Sequence, residues 1–447
     1  MLNMQKHMIE HMFFPMMEIV KGNRIRAKLS ELLETESSET LGEIQRASLK
    51  ELLCYCAEHV PAYKNLGLRT EDIEKDPVKV LTEKIKPLKK LEFQGKAELY
   101  LSDCINPEER IANCTGGSTG EPIHFYMTRS QVEYYEAARW RGLSWFDITP
   151  GSRSVMIWGN PVELNAYNQR KHQMKEQLLK NRRIISAYTM SQKDADKYAE
   201  FLNKYRPEYL YGYSNILTEF AKIVKSAYLD IKLKAVVSTA ETLTPEQIAL
   251  ISDVFKCPVV NEYGARDAGI LAYTCPKGHL HISAENCFIE ILDPITFAPL
   301  PAGKSGLIAI TDLRNRVQPR LRYMLGDVGI ISEKSCECGR KLPVLEKIEG
   351  REDALLLGEG GILIHGNLIG QVLRPIAGIR SFQLRQHTPD KATLFIVPVD
   401  GETVDIEAFM PTFSKTLPGI KVEVKFVDSI KPAPSGKIRY AIREFDL

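Results

Sequence analysis

The sequence predicts an α/β fold in which a large N-terminal α/β domain, with mixed sheets and a β subdomain, is followed by a small C-terminal α+β domain. Three observations predict it. Apolar, β-branched runs alternate with amphipathic helices between residues 154 and 264, as in a parallel sheet covered by helices. Short strands separated by turns begin at residue 288. A further set of strands with one helix begins beyond residue 352.

We therefore expect three segments. Residues 1–100 form an N-terminal helical segment of the large domain. Residues 101–352 form the α/β core with its β subdomain, and residues 353–447 form the small domain.

The composition is that of an ordinary globular protein. Of 447 residues, 44% are apolar and 26% are charged, and 59 Lys and Arg against 57 Asp and Glu leave a net charge of +2. This balance favours neither a nucleic-acid partner nor a membrane surface. No apolar run reaches the roughly 18 residues of a membrane span, and the N-terminus lacks a signal-peptide cleavage pattern. Nine cysteines, an odd number, argue against a disulfide framework. We expect a cytoplasmic protein.

The chain begins with two helical patterns. Met8, Met12 and Met16 recur at helical spacing and predict a short amphipathic helix. Its apolar stripe packs either on the body, on a subunit neighbour or on a membrane surface, and packing on protein is favoured. A second amphipathic helix follows and ends at Pro61.

The core reads as alternating strands and helices. Strands are predicted at 154–158, 184–188, 209–213, 235–238 and 258–264, and helices at 131–143, 195–205, 215–227 and 245–255. In a parallel sheet of this kind, ligands bind where the strands end at their carboxyl side. Gly159, Gly212, Glu241 and Gly264 would cluster there.

The later strands are shorter. The β subdomain is predicted to have strands at 288–292, 306–311, 321–324 and 328–332. The C-terminal domain is predicted from strands at 392–399 and 422–426 and a helix at 406–417.

A glycine-rich loop spans residues 114–122 between two extended segments. Its glycines allow backbone N–H groups to approach an anion, and its hydroxyl side chains add donors, so the loop is a candidate phosphate site. An ordinary hairpin turn is the alternative. The loop is not a Walker motif, because Glu121 and Pro122 follow Gly120 where that motif requires Lys and Ser or Thr.

Four soft ligands are available for a metal ion in the β subdomain. Cys275, Cys336 and Cys338, with either His279 or His281, make the four ligands that zinc prefers. Because all four positions would be filled by protein, such a zinc ion would be structural. Unrelated turn cysteines and a surface histidine are the alternative.

The order of the motifs resembles one known family. The glycine loop is followed by Ser-Thr-Ala-Glu at 238–241, Tyr-Gly-Ala-Arg-Asp at 263–267, Tyr-Met-Leu-Gly-Asp at 323–327, Gly-Arg-Glu-Asp at 350–353 and Ser-Gly-Lys at 435–437. This series is similar to the adenylate-forming ligases, and within them to the branch that holds phenylacetate–CoA ligases and CapK-type proteins. In members with a metal cluster the histidine stands in a Leu-His-Ile context, which favours His281 over His279.

The resemblance implies a role for each motif. The implied ATP-binding residues are Thr115, Gly116, Gly117, Ser118, Thr119, Gly120, Ala240, Glu241, Tyr263, Gly264, Asp327 and Arg351. Tyr263 would stack on adenine and Asp327 would accept from both ribose hydroxyls. Arg351 would bridge ribose and phosphate, and Asp267 would help to hold Mg²⁺, although the family usually has Glu there.

The remaining implied roles concern the small domain and the acid. Lys437 would be the catalytic lysine, and Asp353 would be the hinge about which a mobile small domain turns. Glu121 replaces the lysine with which family loops often end, so that one cation is missing from the phosphates. The acid pocket is expected to be lined by His124, Tyr134, Trp158, Asn160, Tyr211, Gly212 and Tyr213.

The resemblance implies a ligase that uses ATP, Mg²⁺ and a small carboxylic acid. It would activate the acid, for which an aryl or arylacetic acid is one candidate, as acyl-AMP and transfer it to a thiol such as CoA. Transfer of AMP or the acyl group to a hydroxyl or amine is the first alternative, and a non-catalytic nucleotide-binding protein is the second. The resemblance also allows a homodimer.

Overall fold

The computed structural model describes residues 2–115, 122–158, 170–187, 190–351, 355–373, 376–430 and 440–445. In chain order the helices are α1 (Leu2–Met8), α2 (Phe14–Lys21), α3 (Ile25–Thr35), α4 (Leu41–His59), α5 (Pro61–Lys64), α6 (Thr70–Lys75), α7 (Pro77–Lys84), α8 (Lys90–Gly95), α9 (Arg129–Ser144), α10 (Arg170–Lys180), α11 (Ala195–Tyr205), α12 (Ser214–Val224), α13 (Pro245–Phe255), α14 (Asn367–Leu373) and α15 (Ile406–Thr416).

The strands form one large sheet and three smaller ones. They are β1 (Ile111–Cys114), β2 (His124–Met127), β3 (Ser154–Trp158), β4 (Arg182–Ser186), β5 (Tyr209–Tyr213), β6 (Ala235–Thr239), β7 (Val259–Ala265), β8 (Gly269–Thr274), β9 (Leu280–Ile282), β10 (Cys287–Leu292), β11 (Gly306–Asp312), β12 (Tyr323–Ile331), β13 (Val344–Arg351), β14 (Leu355–Leu357), β15 (Leu363–His365), β16 (Ile379–Thr388), β17 (Lys391–Pro398), β18 (Lys421–Phe426) and β19 (Ala441–Arg443). The large sheet has eleven strands in the order β10-β11-β12-β13-β9-β8-β7-β6-β5-β3-β4.

One half of this sheet is parallel. Strands β4, β3, β5, β6 and β7 pair in parallel, which confirms the predicted run of alternating strands and helices. Strands β3, β5 and β6 are mostly buried because helices cover them, and β3 is buried along its whole length, whereas β4 at the sheet edge is partly buried throughout. The mixed α/β fold class is therefore confirmed.

The other half is antiparallel and continuous with the first. Neighbouring strands pair antiparallel in the order β7-β8-β9-β13-β12-β11-β10, so the predicted β subdomain extends the main sheet. Within the antiparallel half, β9 pairs with β13 through only two residue pairs, Val344 with His281 and Leu345 with Leu280. We call this pairing the seam of the sheet.

Helix α9 begins at a well-formed cap. The Thr128 hydroxyl accepts from the Gln131 backbone N–H, and the Gln131 side chain accepts from the Thr128 N–H, which completes a capping box. Helix α13 begins in the same way at Thr244, with Pro245 as its first residue. Helix α13 therefore starts at the predicted residue, whereas α9 starts two residues before the predicted 131.

The N-terminal helices present the methionine stripe to solvent. Met8, Met12 and Met16 keep 36%, 56% and 52% exposure, whereas Ile9 is buried. Polar contacts also hold α1 to the body, because Lys6 Nζ lies 2.9 Å from Glu208 Oε2. Within the described residues, no helix is both long enough and apolar enough to cross a bilayer.

The C-terminal residues have a core of their own. Strands β16 to β19 form a four-stranded sheet in the order β18-β17-β16-β19, and α15 packs on it through Phe409 and Phe413. The predicted strands at 392–399 and 422–426 are β17 and β18. Sequence analysis missed β16, which pairs with β17 over most of its length.

Candidate active site

The glycine loop forms the turn of a hairpin. Strands β1 and β2 pair antiparallel, and Cys114 lies opposite His124. Thr115 closes the hairpin, since its N–H donates to the Ile123 carbonyl and its hydroxyl accepts from the Ile123 N–H, both at 3.0 Å. The predicted phosphate-binding residues beyond it, Gly116, Gly117, Ser118, Thr119 and Gly120, lie outside the described residues.

Three of the predicted nucleotide-binding residues meet at the end of the antiparallel half of the sheet. Asp327 on β12 lies in register with Arg351 on β13, and Arg351 Nη1 lies 2.9 Å from Asp327 Oδ1. The Tyr263 hydroxyl donates to Asp327 Oδ2 at 2.9 Å. Arg351 also donates to the Leu325 carbonyl at 2.8 Å. One carboxylate thus faces a cation on one side and a phenol on the other.

A second carboxylate, Asp267, has the same kind of neighbours. The Tyr323 hydroxyl donates to Asp267 Oδ2 at 2.8 Å, and Lys90 Nζ lies 3.3 Å from the same oxygen. Arg320 donates to the Asp267 backbone carbonyl at 2.6 Å. Burial alone would raise the pKa of Asp267, but Lys90, Arg320 and the Tyr323 hydroxyl outweigh it and hold the pKa below its ordinary value.

This arrangement does not fit the predicted Mg²⁺ ligand. Mg²⁺ keeps several waters in an octahedral shell and so needs an accessible carboxylate. The Asp267 side chain is only 2% exposed, and an ammonium group already neutralises the oxygen that a metal ion would take. In the described structure, the Asp267 carboxylate forms an ion pair with the Lys90 ammonium.

The Asp267 cluster lies at the base of the glycine-loop hairpin. Arg266 donates to the Cys114 carbonyl at the end of β1, at 3.5 Å. The Arg320 guanidinium lies 5.2 Å from the ring centroid of Phe125, on β2. The turn that carries Asp267 therefore contacts the hairpin immediately before its glycines begin.

The other predicted nucleotide residues have local structural roles in the described contacts. Glu241 Oε2 accepts from the Asn215 N–H at 3.0 Å and from the Ser214 hydroxyl at 3.2 Å, at the start of α12. Ala240, just before it, has a φ of +64°. At Gly264 an added Cβ would lie 2.3 Å from the Gly269 carbonyl oxygen, so glycine permits the close approach of β8.

Three of the predicted acid-pocket residues form an aromatic cluster at the carboxyl ends of β3 and β5. Trp158 stacks on Tyr211, with ring centroids 6.1 Å apart and planes 18° apart, and its ring lies 4.2 Å from that of Tyr213. Gly212 lies between the two tyrosines, where an added Cβ would lie 2.6 Å from the Ile157 carbonyl oxygen. Asn160 lies outside the described residues.

Two predicted pocket residues lie elsewhere. The Tyr134 hydroxyl donates to Glu31 on α3 at 2.8 Å, and the Arg314 guanidinium lies 3.8 Å from its ring centroid. Tyr134 therefore packs between α9 and α3. His124 is exposed on β2.

Sequence analysis missed a buried charged pair beneath the aromatic cluster. Glu262 on β7 is 1% exposed and accepts from the Tyr211 hydroxyl at 2.8 Å and from Arg139 Nε at 3.1 Å. The Thr239 hydroxyl lies 3.2 Å from the same carboxylate. A charged residue in the apolar run 258–264 was the signal that could have found it.

The predicted metal ligands come together at the seam. The ligand atoms of Cys275, His281, Cys336 and Cys338 all lie within 4.8 Å of one another. Cys275 Sγ lies 3.8 Å from Cys336 Sγ, and Cys338 Sγ lies 3.2 Å from His281 Nε2.

The structure selects His281 over His279 for this cluster. The His281 side chain is fully buried, and its Nδ1 lies 3.0 Å from the Leu342 carbonyl oxygen, so Nε2 faces the sulfurs. Burial lowers the pKa of His281, which keeps the ring in the neutral form that binds metals.

Two predicted residues of the small domain cannot be placed. Lys437, the predicted catalytic lysine, and Asp353, the predicted hinge, both lie outside the described residues. Their roles stay predictions from the sequence.

Comparisons with known proteins find relatives over about three quarters of the chain. The chain is 25% identical to a phenylacetate–coenzyme A ligase of Thermus thermophilus over 342 residues, 73% of this chain and 74% of that protein. It is 25% identical to protein CapK of Staphylococcus aureus over 349 residues, 73% of each chain. No family model matches the sequence.

Solved structures show the same fold. A 2-hydroxyisobutyryl-CoA ligase in its postadenylation state superposes with a TM-score of 0.67 at 17% identity, covering 90% of this chain and 89% of that one. The similarity in fold therefore extends over most of both chains. In its fold the chain is similar to an acyl-CoA ligase of the adenylate-forming type, and in its sequence it is similar to phenylacetate–coenzyme A ligases and CapK.

Proposed function

We propose that the protein is an ATP-dependent, AMP-forming ligase that activates a carboxylic acid as acyl-AMP and transfers the acyl group to a thiol such as CoA. The observation that carries the proposal is the cluster of Asp327, Arg351 and Tyr263 beside the glycine-loop hairpin. The fold of the chain is similar to that of a 2-hydroxyisobutyryl-CoA ligase in its postadenylation state. The relatives of similar length are phenylacetate–CoA ligases and CapK.

The cluster suits a nucleoside. A carboxylate has two oxygens and can accept from two ribose hydroxyls at once. Arg351 holds Asp327 in place and carries the positive charge that a nearby phosphate needs. Tyr263, held by its hydroxyl to the same carboxylate, offers a ring face for adenine.

The chemistry then has two steps. The carboxylate of the acid attacks the α-phosphorus of ATP in line, and pyrophosphate leaves with the electrons of the broken P–O bond. In the second step the sulfur of the thiol attacks the acyl carbon, and AMP leaves. Mg²⁺ bound together with ATP would offset the negative charge of the phosphates. Asp267, which pairs with Lys90, is not among the residues that would hold the ion.

The remaining proposed roles belong to the small domain, residues 353–447. Lys437 would stabilise the negative charge that develops at the α-phosphate. Rotation of residues 353–447 about Asp353 would withdraw that lysine before thiolysis. We place the enzyme in the cytoplasm, where ATP and CoA are supplied.

The aromatic cluster suits an aryl or arylacetic acid. Trp158, Tyr211 and Tyr213 present flat apolar surfaces at the carboxyl edge of the parallel strands, where ligands of such sheets bind. The buried Glu262 and Arg139 fix the orientation of Tyr211 from below.

The cysteine and histidine cluster suits a structural zinc ion. Tetrahedral zinc with bonds of about 2.3 Å to sulfur places its sulfurs about 3.8 Å apart, which matches Cys275 and Cys336. Four protein ligands leave no position for a reacting water. Cys275, His281, Cys336 and Cys338 would hold the ion, and the Leu342 carbonyl would orient the histidine.

The experiment that tests the function is ATP–pyrophosphate exchange with a panel of carboxylic acids. Exchange that depends on an acid, followed by thioester formation with CoA, supports the proposal. Exchange without thioester formation, but with transfer to an amine or hydroxyl, identifies a different acceptor. Tight ATP binding without any turnover shows a non-catalytic nucleotide-binding protein.

A further inference from the structure

A second group of metal-binding side chains lies at the carboxyl end of α4 and shares no residue with the cluster at the seam. The ligand atoms of His59, Asp103 and Cys104 all lie within 4.8 Å of one another. The backbone holds these residues together, since the Asp103 N–H donates to the His59 carbonyl at 3.0 Å. The Ser102 N–H in turn donates to the Val317 carbonyl at 2.9 Å, which fixes the segment before Asp103.

We propose that His59, Asp103 and Cys104 bind a second divalent metal ion of the zinc type. Imidazole nitrogen, carboxylate oxygen and thiolate sulfur are the three kinds of protein ligand that zinc takes. His59 Nδ1 lies 3.3 Å from Asp103 Oδ1. Zinc bonds of about 2.0 to 2.1 Å at a tetrahedral angle would place these two atoms about 3.4 Å apart. Three protein ligands leave the fourth position of the tetrahedron for water or another small ligand.

The neighbours of His59 and Asp103 leave one atom of each side chain for the ion. Lys64 Nζ lies 2.6 Å from Asp103 Oδ2, so Oδ1 is the oxygen that faces the histidine. On the other side of the ring, His59 Nε2 lies 3.6 Å from Glu58 Oε2. A carboxylate in this place orients the ring of a metal-binding histidine.

The sulfur of Cys104 has two hydroxyl groups beside it. The Tyr55 hydroxyl lies 3.0 Å and the Ser102 hydroxyl 3.3 Å from Cys104 Sγ. Both can donate to a thiolate, which is the form of cysteine that binds metals. Tyr55 stands one turn before His59 on α4, and their ring centroids are 5.0 Å apart. One end of this helix therefore carries both a ligand and a group that stabilises another ligand.

This site should bind its ion more weakly than the cluster at the seam. The side chains of His59 and Asp103 keep 28% and 50% exposure, whereas Cys275 and His281 are buried. The ammonium of Lys64 also repels a cation bound to Asp103. We therefore expect the ion to dissociate in metal-free buffer, so that the second site fills only when zinc is added.

The test is titration calorimetry of Zn²⁺ into the whole chain, in the presence of a reductant, for the wild type, Cys104→Ser and His59→Gln. Cys54→Ser is the matched control, because Cys54 is a free thiol on the same helix as His59. Plasma mass spectrometry measures the zinc carried over from purification. Thermal unfolding shows whether each variant folds.

We expect the wild type to take up one Zn²⁺ per chain beyond the zinc carried over. In Cys104→Ser and His59→Gln the Kd of this ion should rise more than about a hundredfold, since even the partners of metal ligands contribute about 10- to 100-fold to affinity. Glu58→Gln, which alters such a partner, should raise the Kd about tenfold. Cys54→Ser should match the wild type. Absence of zinc uptake by the wild type, or uptake that either ligand variant retains unchanged, would overturn the inference.

Discussion

Asp327 and Arg351 face each other across β12 and β13, and their side chains meet at 2.9 Å beside the Tyr263 hydroxyl. The register of two antiparallel strands fixes this pair, so the carboxylate is in place before a ligand arrives. An arrangement that is ordered in advance lowers the entropic cost of binding.

Replacement of Asp327 should weaken the binding of both ATP and AMP. The variant Asp327→Ala removes the acceptor for the ribose hydroxyls, and we expect each Kd to rise roughly 10- to 100-fold, because two hydrogen bonds to a charged group are lost. Calorimetric titration of both nucleotides measures this. Glu346→Ala is the control, since Glu346 is exposed on the same strand as Arg351. Equal affinities in the wild type and Asp327→Ala would show that the nucleoside binds elsewhere.

Lys437→Ala should separate the two steps of the reaction. Loss of the charge that stabilises the transition state should slow adenylation about a hundred- to thousandfold, as for other single donors of this kind. Thioester formation from supplied acyl-AMP should keep its rate. Pyrophosphate exchange measures the first step and thioester assays the second, with Lys421→Ala as control. An undiminished exchange rate would refute the role of Lys437.

Trp158→Ala should weaken the binding of the acid and leave the binding of ATP unchanged. The ring covers Tyr211 and Tyr213, so its loss removes apolar surface from the proposed acid site. We expect the KM for an aryl acid to rise about tenfold and the KM for ATP to stay constant, given roughly 1.5 to 3 kcal/mol for a buried aromatic side chain. Steady-state kinetics with each substrate varied in turn measures both. Tyr228→Ala, at a side chain with 80% exposure, is the control. Parallel increases in both KM values would point to a general loss of structure.

Purified protein should contain one zinc ion per chain. In Cys338→Ser the zinc content should fall and the thermal midpoint should drop by more than about 5 °C, because the metal is bound only by the folded state. Plasma mass spectrometry and calorimetry measure the two quantities. Cys54→Ser, at a free thiol on α4 outside the cluster, should change neither. A wild type that stays free of zinc after expression with added zinc would contradict the metal site.

Glu208 should link the N-terminal helix to the body in a pH-dependent way. Burial raises the pKa of Glu208, but Lys234 and Lys6 outweigh burial and hold the pKa below its ordinary 4.5. The folded state therefore favours the carboxylate, so its stabilising contribution is present above pH 4.5 and is lost as the pH falls through the folded pKa.

The difference in unfolding free energy between the wild type and Glu208→Gln should follow this course. It should be constant at neutral pH and shrink as the pH falls below 4.5. Denaturant titrations at several pH values measure it, and Glu200→Gln, at an exposed position of α11, is the control. A difference that grows on acidification would contradict the assignment.

Most of the parallel half of the fold was predictable because each strand is a short apolar run. The predicted strand at 154–158 is β3 as observed. By contrast, β16 went unnoticed, since Arg380, Ser381, Arg385 and Gln386 interrupt its apolar residues and the burial that stabilises it comes from α15. Such burial depends on how distant segments pack, which a local pattern does not encode.

The site was predictable where spacing along a strand decides which residues meet. Asp327 in the middle of β12 lies opposite Arg351 at the end of β13, and the Tyr263 hydroxyl on β7 reaches the same carboxylate. Tyr134 was misplaced because a helix presents residues on all sides, and the packing of α9 on α3 decides which side faces the pocket. Glu241 caps α12, a contact between segments that its own motif does not reveal.

The seam between β9 and β13 has a consequence for how the enzyme assembles its ligand site. Tyr263 belongs to the strands on one side of this joint, and Asp327 and Arg351 belong to those on the other. Two residue pairs join these two groups of strands at β9 and β13, and the cluster that contains His281 lies at the same pairing. A metal ion held by that cluster would therefore tie the two groups of strands together and keep the Tyr263 hydroxyl aligned with the Asp327 carboxylate.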